Sequence, residues 1–192
     1  MNYWQELYDA WDSGRFDPVY HFYGDEEYIK KNALARLSSR LLVPGLEALN
    51  ETVLEGSVSA EDIIEAAETL PVMAPRRLVL VRDWAGLLQS ERAKGEEDEK
   101  GKKKKLLKAY DIFAKWLDDP PPECTLVFYT RPDDKIDEYV KSRGKAAKKN
   151  VFELLAAKGK AVCFDHLDDR TLFAWIAQRF KAEGSSVDRT AS

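Results

Sequence analysis

The stretch Tyr20–Leu34, YHFYGDEEYIKKNAL, decides the fold. It completes a short aromatic strand, Val19–Tyr23, and turns at one glycine, Gly24. A helix follows from Asp25, with Ile29, Ala33, Leu37 and Leu41 on one face. Strand, glycine turn and helix make the layout of a phosphate-binding loop, but a working loop reads G-x-x-x-x-G-K-S/T. Aligned on Gly24, this chain puts Ile29 at the second glycine, Lys30 at the lysine and Lys31 at the hydroxyl residue. A β-branched Ile29 obstructs the close backbone approach that phosphates need, and Lys31 gives magnesium no oxygen ligand. Asp25, Glu26 and Glu27 occupy the first turn. There they are expected to satisfy the free N–H groups and the positive helix end themselves, and to repel a triphosphate. The loop thus reads as a degenerate phosphate site.

Working outward, four more strand candidates appear: Glu51–Glu55, Leu78–Val81, Thr125–Thr130 and Ala161–Phe164. LVLV at 78–81 is an unbroken aliphatic run, as expected of a strand covered on both faces. Helices are expected between them. Leu7, Tyr8 and Trp11, with Trp4, form the stripe of a first helix. SAED, Ser59–Asp62, reads as a capping box, opening a helix that buries Ile63, Ala67 and Leu70 and stops at Pro71. A later helix carries Leu106, Leu107, Tyr110, Phe113, Ala114 and Leu117, and a long charged helical stretch follows the fourth strand. Strands alternating with helices predict right-handed βαβ units and a five-stranded parallel sheet with helices on both faces. After His166 only helical pattern remains, with Leu172, Trp175, Ile176 and Arg179. The expected division is an α/β domain over 1–166 and the start of a truncated helical domain over 167–192.

Composition narrows the function classes. The 192 residues are 44% hydrophobic and 33% charged, with net charge −4, which fits a globular cytoplasmic chain and not a dedicated nucleic-acid binder. Two distant cysteines, Cys124 and Cys163, offer neither a disulfide framework nor a zinc site. The beginning, MNYWQELYDAWDSG, lacks a signal-peptide pattern, and no apolar run approaches the roughly 18 residues of a membrane span. Residues 90–105, SERAKGEEDEKGKKKK, read as a solvated, disordered insertion. No catalytic set emerges. Asp83 after the third strand reads as a strand-end or cap residue, His21 and His166 as lone core or surface histidines, and neither a metal nor a cofactor is expected.

GRFDPVYHFYGDEEYIKKNAL (14–34) and AAETLPVMAPRRLVLVRDW (66–84) resemble the delta subunit family of the bacterial DNA polymerase III clamp loader. So do the proline run before TLVFYT, the lysine-rich stretch after it, and FAWIAQRF at 173–180. The strongest pieces are the YGDEEY turn and the LP-x-x-A-x-RRLV-x-V block. The resemblance implies an AAA+-like fold, then a helical lid domain and a collar domain absent here. It implies a DNA-replication subunit without catalysis or nucleotide, which binds the ring-shaped sliding clamp (the beta subunit) and opens it. It implies gamma/tau and delta prime loader subunits as further partners, transient contact with DNA, and no membrane. By the same resemblance the clamp-binding tip is Leu70, Pro71, Val72, Met73, Ala74 and Arg76, with Val72 and Met73 as the inserting pair. Pro71 and Pro75 restrict that loop and lower the entropy lost on docking. Relatives usually carry Phe or Leu here, so Val-Met is expected to weaken binding by about 1–2 kcal/mol. Three readings remain beside one another. The first is this docking role. The second is an atypical P-loop ATPase using Lys30. The third is a DNA-binding module using Lys102–Lys105 with Lys145, Lys148 and Lys149, and it predicts steep salt dependence. A core plug by Val72 and Met73 is the structural alternative to docking.

Overall fold

The computed structural model describes residues 3–88, 109–142 and 150–165, and positions 173, 174, 176, 177 and 180. Its order is α1 (Tyr3–Asp12), β1 (Val19–Tyr23), α2 (Glu27–Leu41), α3 (Glu47–Asn50), β2 (Glu51–Glu55), α4 (Ala60–Glu68) and β3 (Arg77–Arg82). Then follow α5, described over 109–116, β4 (Cys124–Tyr129), α6 (Asp134–Ser142), α7 (Val151–Lys158) and β5 (Lys160–Cys163). The strands form one parallel sheet in the order β2-β3-β4-β1-β5. This is the five-stranded parallel sheet with helices on both faces that the alternating pattern predicts, in keeping with the AAA+-like fold that the resemblance implies.

Alternation along the strands builds two cores. Tyr20, Phe22, Leu78, Leu80, Val127 and Tyr129 face α1 and α2, where Ile29, Ala33, Leu37 and Leu41 are all buried. Val79, Val81, Leu126 and Phe128 face the other way, against Ile63 and Ala67 of α4, Phe113 of α5 and Leu155 of α7. Each such aliphatic side chain contributes about 1.5–3 kcal/mol by leaving water. β3 is buried from Arg77 to Val81, as its unbroken apolar run requires. Trp11 locks α1 to β1 by donating from Nε1 to the Tyr20 hydroxyl at 2.9 Å.

Ser59 and Asp62 form the capping box at the start of α4. The helix, however, does not bury Leu70. It ends at Glu68, Thr69 is already extended at ψ 131°, and Leu70 is 74% exposed. Pro71 explains this, because its ring disfavours helical backbone at the residue before it. α2 begins at Glu27, two residues later than expected, and the four-residue α3 was not read from the pattern. The insertion 90–105 and the 167–192 division lie outside the described residues or are described at a few positions only. So do Leu106, Leu107, His166 and the basic residues Lys102–Lys105, Lys145, Lys148 and Lys149.

Candidate functional site

All strands being parallel, the turn after β1 lies at the carboxyl edge of the sheet and the connection into β3 at the amino edge. The two were singled out for different chemistry, and they are built differently.

At the carboxyl edge Gly24 adopts φ +104°, and an added Cβ would stand 2.5 Å from the Phe164 carbonyl oxygen. Phe164 closes over the turn. Its N–H donates to the Tyr23 carbonyl at 2.7 Å, and its own carbonyl accepts from the Glu26 N–H at 2.8 Å. Lys30 is fully buried. Its ammonium donates to the Gly24 carbonyl at 2.8 Å and the Thr130 carbonyl at 2.7 Å, and pairs with Glu27 at 3.0 Å. The lysine that would meet a phosphate is thus turned inward, tying the β1 turn to the end of β4. Ile29 is buried beside it, while Lys31 is exposed and pairs with Glu27 at 3.4 Å.

Glu26 and Glu27 do not cap the helix as expected. Glu26 holds the N-cap position and makes no side-chain cap hydrogen bond; the backbone of Phe164 meets its N–H instead. Glu27 turns to side chains, accepting from the Tyr129 hydroxyl at 2.8 Å. Burial raises the Glu27 carboxyl, but the hydrogen bonds from Lys30 and Tyr129 outweigh it and hold it below its ordinary value. Burial first, then Glu27, pushes the Tyr129 phenol up. Asp83, in the left-handed region at φ 46°, accepts from the Arg131 N–H at 2.9 Å and from its guanidinium. Arg131 also reaches Glu55 at 3.0 Å. Between these groups lies a cavity of about 200 Å3, lined also by Leu34 and Arg82, in which Glu27, Lys31, Glu55, Asp83 and Arg131 are engaged with one another. His21 is a core histidine: fully buried, with Nε2 3.1 Å from Thr130 Oγ1.

At the amino edge the tip is exposed. Met73 is 85% and Val72 47% accessible, so neither plugs the core. With Leu70 they form an apolar crown, while Pro71 and Ala74 are half-buried. The crown is held by its backbone. Asn50, fully buried, accepts from the Val72 N–H at 2.7 Å and donates to the Val72 carbonyl at 2.9 Å. Met73 then takes φ 53°, a left-handed geometry costing a non-glycine residue about 1 kcal/mol. Arg77, also buried, anchors the tip's other end by donating to the Thr69 carbonyl at 3.0 Å and Thr52 Oγ1 at 2.8 Å. Arg76 donates to the Pro122 carbonyl at 2.8 Å and lies 5.3 Å from the Phe16 ring centre. Asn50 and Thr52 escaped the sequence reading, since a polar residue beside a strand carries no signal of a partner some twenty positions on.

A family model described as DNA polymerase III, delta subunit, matches residues 20–157. The chain is 30% identical over 154 residues to DNA polymerase III subunit delta of Bacillus subtilis (strain 168), covering 78% of this chain and 41% of that one. Among solved structures it is similar to the Bacillus subtilis DNA clamp loader delta protein, with TM-score 0.65 and 18% identity over 96% of this chain and 49% of that one. It also resembles a DNA polymerase III gamma subunit-related protein from Thermotoga maritima, with TM-score 0.50 and 12% identity over 93% and 50% of the two chains. The structural likenesses show the fold, and the chain spans half or less of the length of each relative. No described helix is long and apolar enough to cross a membrane. On the family match over most of its length, the chain belongs to the DNA polymerase III delta subunit family.

Proposed function

We propose that this chain is a non-catalytic clamp-loader subunit that docks the Leu70–Ala74 tip into an apolar pocket of the sliding clamp and opens the ring during DNA replication. The observation that carries the reading is the exposed Leu70–Val72–Met73 crown on an anchored backbone. Exposed apolar side chains on a pre-ordered loop bind well, because little conformational freedom is left to lose. Met73, flexible and polarisable, suits pocket filling. In this reading residues 1–166 form the AAA+-like body and 167–192 begin a helical lid. The gamma/tau and delta prime subunits assemble beside it, and DNA touches the complex only in passing. Arg76 steadies the tip from Pro122 and Phe16 and lies at its rim.

The absence of catalysis is part of the same proposal. An ATPase needs a lysine free to reach phosphates, and here Lys30 is engaged with two backbone carbonyls and Glu27.

The test is binding of this chain to the sliding clamp of the same organism, by surface plasmon resonance, beside Val72→Ala/Met73→Ala. Micromolar or tighter binding that the double variant loses, with its melting temperature kept, supports both function and site. Binding that survives the double variant moves the site elsewhere. A parent chain that does not bind refutes docking by this chain alone.

A further inference from the structure

We infer that Asn50 is the positioning residue of the docking tip: its carboxamide stands in for a neighbouring strand and fixes the Val72 backbone so that Met73 projects. The inference rests on the reading of the tip as a clamp-binding surface. The Asn50 side chain is fully buried and uses both of its polar ends. Oδ1 accepts from the Val72 N–H at 2.7 Å, and Nδ2 donates to the Val72 carbonyl at 2.9 Å and the Leu46 carbonyl at 3.1 Å. The Leu46 bond is local, spanning the single turn of α3. The other two reach 22 residues along the chain to one residue of the tip. A paired N–H and C=O on one residue is what a sheet neighbour supplies, and a short carboxamide offers the matching acceptor and donor side by side. Aspartate at 50 keeps the shape but loses both donors and sets a carboxylate against two carbonyls. Alanine leaves three polar backbone groups to find water.

What this does for docking follows from where the anchor grips. Val72 is held by its main chain, so its side chain stays available, and Met73 follows in the left-handed region with its side chain in solvent. Without the anchor, Leu70–Ala74 would sample many backbone states, and each must be given up on docking. Asn50 therefore acts on affinity through the order of the tip and not by touching the partner.

The experiment compares the whole chain with Asn50→Ala, Asn50→Asp and Leu37→Ala. Leu37 is a fully buried α2 residue in the core on the other sheet face, and its truncation serves as a stability control. Three quantities are read: clamp affinity, melting temperature, and the 13C-methyl methionine spectrum. The chain holds two methionines, so Met73 supplies the only signal besides Met1. Both Asn50 variants should bind the clamp about ten-fold or more weakly, with a Met73 methyl signal narrowed and moved toward the free amino acid. Leu37→Ala should lose melting temperature yet keep affinity within about two-fold and leave the Met73 signal in place. The role is overturned if either folded Asn50 variant binds as the parent does, or if Leu37→Ala loses affinity in step with them. Should Asn50→Ala fail to fold, the same-shaped Asn50→Asp decides. A parent chain that ignores the clamp overturns the docking function and this role together. A binding parent with an indifferent Asn50 variant overturns this role alone.

Discussion

At the carboxyl edge of the sheet, the turn after β1 ties its polar groups to its own chain. Gly24 is roofed by Phe164, and Lys30 bridges Gly24, Thr130 and Glu27. At the amino edge, the connection into β3 is anchored too, with Asn50 and Arg77 gripping the backbone of Val72 and Thr69. Its apolar side chains stay outside. Both loops are ordered. One uses that order to engage its own polar groups, the other to present apolar side chains. Order by itself therefore does not mark a functional loop; what matters is which groups the anchors leave over.

The comparison can be broken most forcefully at Lys30. Lys30→Met should cost about 3 kcal/mol in a urea titration, because it orphans two buried carbonyls and removes the buried member of Glu27's two lysine partners. A neutral result would mean that the carboxyl edge is not closed by this lysine. Gly24→Ala comes next, at about 2 kcal/mol, from its positive φ and the contact with the Phe164 backbone. Full stability in that variant would show that the roof over the turn moves aside. The tip should answer in the opposite manner. Val72→Ala/Met73→Ala should change folding free energy by less than about 0.5 kcal/mol, while clamp affinity falls about ten-fold or more. A large loss of stability would make the crown part of the core after all.

The smallest expected effect sharpens the closed edge. Burial, then the nearby Lys30 charge, lowers His21 to about 3, against an ordinary value of about 6.5. Thr130, Tyr23 and Phe152 complete its surroundings. The folded chain keeps His21 neutral where the unfolded chain already takes up a proton. Stability is therefore whole above about pH 6.5 and falls on acidification toward about pH 3, by about 1.4 kcal/mol per unit once the unfolded imidazole is charged. Chemical denaturation between pH 7 and 5.5 should show this slope, and His21→Gln should flatten it. Equal slopes in both chains would assign the acid sensitivity to other groups.

Much of this was legible in the residues. Unbroken runs such as LVLV gave the strands, because a parallel sheet covered on both faces leaves no polar side to interrupt them. The four-residue spacing from Ile29 to Leu41 placed α2, and SAED placed the start of α4. The misread positions share a cause: each depends on contacts distant in sequence or on competition at an element's end. Leu70 continues the apolar spacing of α4, yet Pro71 and the grip of Arg77 on Thr69 stop the helix before it. The acidic first turn of α2 suggested capping by side chains, but the backbone of Phe164, about 140 residues on, takes the Glu26 N–H. At the candidate site, a resemblance pointed to the tip, while its exposure and the Asn50 anchor required three dimensions.

One consequence of the main-chain grip on Val72 concerns variation. Since Asn50 holds position 72 by atoms that every residue except proline possesses, the fold places almost no demand on what side chain stands there. Position 72 can thus vary without a detour through a misfolded chain. Met73, by contrast, answers to its left-handed backbone, which disfavours a β-branched residue there.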